Sequence, residues 1–134
     1  MLLLVSCSNE RSSNREMDPP YITIERQDPL HNLSNSKFTK KIVDEKTIRE
    51  LGASINHLPE FPRGIIHCPA DNGVQYEMDF HNSLDDRVVL VHATGCQQVQ
   101  VNSKTYWAME PKGNGFRALL IEKLGLSEKE FLGG

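Results

Sequence analysis

A chain of 134 residues, 38% hydrophobic and 25% charged with a formal net charge of −3, has the composition of one globular domain and not of a disordered segment. No apolar run approaches the ~20 residues of a spanning helix, which excludes a polytopic membrane protein. The excess of acid supplies no positive field for phosphates along a duplex, so no nucleic-acid partner is expected.

The chain opens with Met1-Leu2-Leu3-Leu4-Val5-Ser6-Cys7 and continues through a polar stretch from Ser8 to Glu16. An apolar run that meets a small residue and a cysteine resembles the end of a bacterial lipoprotein signal. The resemblance implies that Leu4-Val5-Ser6-Cys7 is the lipobox, that residues 1–7 are the remnant of the signal, and that Cys7 is the lipid-attachment site. It places the protein on the outer face of the cell membrane, held by a lipid anchor. The apolar run is shorter than the ~7–15 residues of a signal core and has no basic residue before it, so this reading expects further codons upstream. The alternative is a greasy terminus with a free cysteine in a cytosolic protein of three thiols. Residues 8–20 end in Pro19-Pro20 and read as a flexible tether, with residues 21–134 as a single α+β domain.

An extracytoplasmic address permits disulfides. With Cys7 carrying lipid, Cys68 and Cys96 remain of the three cysteines, and two cysteines allow one bridge. In the chain-entropy description that bridge contributes about 3–4 kcal/mol.

Tyr21 to Arg26 alternates and is rich in β-formers, which predicts a first strand. A polar loop through Asp28-Pro29 and His31 to Ser36 leads to a return strand from Phe38 to Val43. Asp44 is a good N-cap for a helix in which Ile48, Leu51, Ile55 and Leu58 form one stripe, ended by Pro59. Gly52 in that helix permits close approach to a sheet. Cys68-Pro69 enters a turn at Asp71-Asn72-Gly73, where glycine supplies a positive φ. Val74, Tyr76, Met78 and Phe80 then alternate with Gln75, Glu77, Asp79 and His81, predicting an antiparallel strand with one buried and one wet face. Arg87 to Ala93 is more uniformly apolar and predicts a central strand. Gln98 to Val101, a turn at Asn102-Ser103, and Lys104 to Trp107 complete a four-strand meander. Asn114 caps a helix carrying Phe116, Leu119, Leu120 and Leu124, Gly125 ends it, and Ser127 with Glu130 forms a capping box for one more turn. The order β-β-α-β-β-β-β-α predicts an α+β fold, a two-layer arrangement of an antiparallel meander sheet with helices packed on one face.

Cys68-Pro69-Ala70-Asp71-Asn72-Gly73 together with Gly95-Cys96 resembles a pattern in uncharacterised small secreted lipoproteins of Gram-positive bacteria. The resemblance implies a fold and a disulfide, and no activity; the bridge would tie the loop before the meander to the start of its third strand, with the two cysteines on neighbouring strands. A zinc set of His67, Cys68, His92 and Cys96 is the competing use of these residues, but adjacent His67 and Cys68 diverge on an extended chain. No catalytic residues are assigned. There is no nucleophile elbow, and the five histidines (His31, His57, His67, His81 and His92) are scattered. Asp85-Asp86 suits a turn. Gly113-Asn114-Gly115 lacks the lysine of a phosphate loop and reads as loop plus cap. Asn32-Leu33-Ser34 matches a glycosylation sequon that bacterial export leaves silent. Tyr106 and Trp107 are the best interface anchors. The polar strand positions Gln75, Glu77, Asp79, Gln98, Gln100 and Asn102 read as a solvated sheet face or as a platform for a protein partner. No cofactor, metal or small-molecule substrate is expected. The functional expectation is a membrane-anchored extracytoplasmic lipoprotein acting as a non-enzymatic protein-interaction or structural module. A secreted inhibitor of a hydrolase, such as a protease or a β-lactamase, is the alternative.

Overall fold

The computed structural model describes residues 19–28, 37–82 and 86–133. Cys7 and most of the tether, His31, the sequon at 32–34, and Asp85 lie outside the described residues.

Six strands form one antiparallel sheet in the order β2-β1-β3-β4-β5-β6. They are β1 (Tyr21–Gln27), β2 (Thr39–Ile42), β3 (Gln75–His81), β4 (Arg87–His92), β5 (Gln98–Val101) and β6 (Lys104–Trp107). Two longer helices, α1 (Glu45–Asn56) and α2 (Phe116–Leu124), and a one-turn α3 (Glu128–Phe131) complete the described elements. The alternation of β3 does what its pattern requires. Tyr76, Met78 and Phe80 are buried, while Gln75, Glu77, Asp79 and His81 point to the other face. Register carries that division across the sheet: Ile22 and Ile24 lie opposite Phe80 and Met78, and Val91 and Val89 opposite Tyr76 and Met78.

The inward strand residues join Ile48, Leu51 and Ile55 of α1 and Phe116, Leu120 and Leu124 of α2 in one core. This is the expected two-layer α+β fold. The excursion through β2 and α1 leaves β1 paired directly with β3, from Gln27 opposite Gln75 to Tyr21 opposite His81, a neighbourhood of distant residues that no local pattern specifies. Tyr76 is fully buried; its hydroxyl donates to the Phe131 carbonyl at 2.8 Å and its ring stacks on Phe131, 4.6 Å between centroids. That contact fastens α3 to the sheet.

Both sheet edges are protected. β2 is four residues long and carries Lys40 and Lys41, which disfavours pairing with another chain. At the other edge the Trp107 N–H donates to the Pro59 carbonyl and the Phe61 N–H to the Thr105 carbonyl, both at 2.9 Å. The Pro59–Phe61 segment thus covers β6 as far as prolines allow.

Several local expectations shift. β4 lies inside the sheet, but its apolar uniformity does not come from burial on both faces. Val89 and Val91 enter the core, whereas Val88 is 48% exposed on the opposite face. Gly52 does not meet sheet backbone; a Cβ there would lie 3.6 Å from the Arg87 guanidinium. Asp44 caps α1 as expected, its carboxylate accepting from the Thr47 N–H at 3.0 Å. Asn114 does not cap α2. It and Gly115 are both left-handed (φ 52° and 83°), Gly115 takes the cap position, and the Glu110 carboxylate accepts from the Gly115 N–H at 2.9 Å. Two consecutive left-handed residues turn the chain into the helix, and a carboxylate from the preceding loop does the work expected of the asparagine. The Ser127–Glu130 capping box is present.

Candidate functional site

The cysteine loop sits at one end of the sheet. Cys68 and Cys96 form a disulfide with Cα atoms 4.9 Å apart, inside the range a bridge requires. Neither cysteine is on a strand. Cys68 lies in the long loop before β3 as expected, whereas Cys96 lies in the turn after β4 and not at the start of β5, so the bridge joins two loops and not neighbouring strands. Thr94 also ties the two loops together. Its hydroxyl bonds to Asp71 Oδ1 and Asn72 Oδ1 at 3.1 and 2.9 Å, and the Asn72 N–H donates to that hydroxyl at 3.1 Å. The Gly73 N–H donates to Asp71 Oδ1 at 2.8 Å, and Gly73 has φ 82°, the left-handed conformation the turn needs. The Gly73 donor, followed by Thr94, holds the Asp71 carboxyl below the usual carboxylate range. The two sulfurs are bonded to each other, so no thiolate remains for the zinc alternative, and no group of three His, Cys, Asp or Glu that could hold a metal occurs among the described residues.

The sheet face opposite the helices carries no packed layer among the described residues. β1 contributes Tyr21, Thr23, Glu25 and Gln27, and β3 contributes Gln75, Glu77, Asp79 and His81, paired in that register in reverse. β4 adds Val88, Leu90 and His92, β5 adds Gln98 and Gln100, and β6 adds Thr105 and Trp107. Glu25 therefore stands directly opposite Glu77, with Asp79 two residues further along the same face. Like charges at those spacings destabilise a sheet.

The local chemistry records that cost. Glu77 Oε1 accepts from Gln27 Nε2 at 3.2 Å, and Gln27 in turn accepts from Gln75. Partial burial nevertheless pushes the Glu77 carboxyl up, and the neighbouring Asp79 pushes it further. One carboxylate oxygen of Asp79 is enclosed without a hydrogen-bond partner among the described residues. A hollow of about 420 Å³ lies over Glu25, Glu77 and Asp79, walled by Thr39 and Lys41 of β2. A second, of about 370 Å³, runs past Asp79 to Val88, Leu90 and Gln100. At the β1 end, Tyr21 stacks on His81 with centroids 4.4 Å apart, the His81 Nε2 lies 3.3 Å from the Thr23 hydroxyl, and Lys41 Nζ sits 4.5 Å from the Tyr21 ring centre.

The two aromatic anchors expected from sequence do not act together. They occupy consecutive positions of β6 and point to opposite faces. Tyr106 packs against the core, and Trp107 lies on the open side, donating from its indole nitrogen to the Cys96 carbonyl at 3.0 Å and meeting Phe61 edge-on. Trp107 thereby ties the covered edge to the disulfide turn. Glu77, Asp79, Gln75, Gln98 and Gln100 do lie on the open face as their alternation predicts; Asn102 falls in the turn beyond it. Glu25, Val88 and Leu90 were missed. The alternation of β1 could have indicated Glu25, but nothing local marks Val88 as the outward member of an all-apolar run. At the Gly113-Asn114-Gly115 loop, Glu110 already occupies the helix N-terminus. Among the other histidines, His57 bonds to the Ala53 carbonyl at 2.7 Å and His67 is exposed.

An open, six-stranded antiparallel face backed by helices and pinned by one disulfide defines a two-layer α+β scaffold. Comparison with protein-family models, with curated proteins and with solved structures returns no match.

Proposed function

We propose that this chain is a membrane-anchored extracytoplasmic lipoprotein whose domain is a non-enzymatic binding module, and that the open sheet face receives a protein partner presenting basic residues beside apolar ones. The observation that carries this reading is the juxtaposition of three carboxylates (Glu25, Glu77 and Asp79) with the exposed Val88 and half-buried Leu90 on a face that no helix covers. Keeping like charges opposed, with one oxygen unpartnered, costs the free domain stability; a cationic partner relieves that repulsion on binding. The address rests on chemistry as well. Cys68 and Cys96 are oxidised to each other, a state favoured outside the cytosol, and Cys7 is left over for lipid.

Two measurements test the proposal. A fatty-acid probe fed to cells labels the native protein and not Cys7→Ala; label retained by that variant removes the anchor. A photo-crosslinking residue at Val88 captures a protein from the native envelope, and Glu77→Lys abolishes the capture. Equal capture from a crosslinker at Ile65, which is 93% exposed in the loop before Cys68, would show that the sheet face is not the binding surface.

A further inference from the structure

A second feature lies at the junction of α1 with the end of the sheet that carries His81 and Arg87. A cleft of about 400 Å³ opens there, with Arg49, Gly52 and Asn56 of α1 on one side and His81 and Arg87 of the sheet on the other. The chain is acidic as a whole, yet no carboxylate among the described residues lines this cleft. The spacing of Arg49, Gly52 and Asn56, three and four residues apart, puts them on one helix face.

Among the described residues, Arg87 is held in place by contacts that carry no negative charge. One guanidinium nitrogen donates to Asn56 Oδ1 at 3.1 Å, and the guanidinium carbon stands 5.1 Å from the centre of the Phe80 ring. Neither contact supplies negative charge, and neither Arg49 nor Arg87 has a carboxylate partner among the described residues. Arg117, by contrast, is paired with Glu128. Gly52 adds the space. Glycine inside a helix costs about 1 kcal/mol relative to alanine, and here its missing side chain leaves room beside the other guanidinium nitrogen. Asp86, the nearest acid in sequence, lines the adjoining hollow and not this one, its carboxylate accepting from the Asn82 N–H at 2.9 Å.

We propose that this cleft is a binding site for a phosphate group, with Arg87 as the fixed donor and Arg49 as a second, mobile one. A pre-oriented guanidinium fork with free N–H groups matches phosphate oxygens in charge and in geometry. The cleft is larger than a bare ion, so it suits a phosphate carried on an organic group. That group is either a phospholipid headgroup or a soluble phosphate ester. Pro20, where the N-terminal segment enters the fold, lines the rim, so a membrane surface belongs in the test.

The experiment uses the full chain with Cys7→Ser, so that no acyl chain contributes to membrane binding. Inorganic phosphate is titrated while backbone amide resonances are followed. Saturable shifts are expected at Gly52, Asn56 and Arg87. Arg87→Gln weakens binding about tenfold, the loss of one charge-assisted contact. Arg49→Gln weakens it severalfold, and the exposed loop variant Arg63→Gln leaves it unchanged. Co-sedimentation with phosphatidylglycerol vesicles, against phosphatidylcholine vesicles, separates the sources. Arg87-dependent retention on the former alone assigns a lipid headgroup; phosphate binding without retention assigns a soluble phosphate. Absence of shifts at the cleft overturns the proposal, as does equal weakening by Arg63→Gln and Arg87→Gln. Should Arg87→Gln fail to fold, an unchanged affinity in Arg49→Gln overturns it.

Discussion

Glu77 is where sequence, stability and the proposed binding function meet. Its carboxyl is raised above the usual range by burial and by Asp79, so the folded state holds its proton more tightly than the unfolded chain does. The associated stability is complete below the ordinary carboxylate value and is lost as pH rises through the raised one. Glu77→Gln mimics the protonated form at every pH. We expect it to be near neutral in acid and stabilising by about 0.5–1 kcal/mol at pH 7, the range for relieving opposed like charges. Urea titrations at pH 4 and pH 7 measure the difference, and equal effects at both pH values would exclude the repulsion described. Gly113 makes the opposite kind of demand. A Cβ there would lie 2.1 Å from the Ala108 carbonyl oxygen, backbone that cannot swing aside. Gly113→Ala should therefore destabilise by at least the ~1–3 kcal/mol typical of overpacking, read as a lower urea midpoint with an unchanged slope.

Among the elements, the loop before β3 depends most on covalent help. It has no helix or strand between Phe61 and Val74, and it is fastened by the Thr94 hydrogen bonds and the Cys68–Cys96 bridge. The bridge closes a sequence separation of 28 residues, for which the chain-entropy description gives about 3–4 kcal/mol. Replacing both cysteines by alanine should lower stability by about that amount, measured by denaturation of the native and variant proteins without reductant. A loss under 1 kcal/mol would mean that Thr94, Asp71 and Asn72 hold the loop unaided. The Asp71-Asn72-Gly73 turn and the placing of Cys68 in the loop before the meander were legible, and the cysteine pair was expected once the lipoprotein resemblance set Cys7 aside. That Cys96 sits in the turn short of β5 was not legible, and neither was the Thr94 contact to Asn72, 22 residues away in sequence. The cap of α2 failed for a similar reason. Asn114 is a good local capping residue, but the carboxylate that reaches the helix N-terminus is set by the path of the preceding loop.

At the scale of the whole molecule, one sheet separates two environments. The helix side is a closed apolar core, and the other side exposes carboxylates beside valine and leucine. If that face binds a basic partner, association depends on charges that remain near solvent, and such charges are screened within about 8–10 Å at physiological salt. Raising salt from 0.05 to 0.5 M should slow association far more than it speeds dissociation, as surface plasmon resonance with the captured partner would show. An unchanged association rate would point to the apolar residues as the source of affinity.

Period and punctuation in the amino-acid order sufficed for the strands, the first helix and the two-layer class, because each of these is decided by neighbours a few residues apart; the Cys68–Cys96 pair was expected only with Cys7 set aside for lipid by the lipoprotein resemblance. The pairing of β1 with β3, the opposition of Glu25 to Glu77, the outward turn of Val88 and the seating of Arg87 beside Gly52 were decided only by folding. Each is a meeting of segments tens of residues apart, and long-range packing has no local period to announce it.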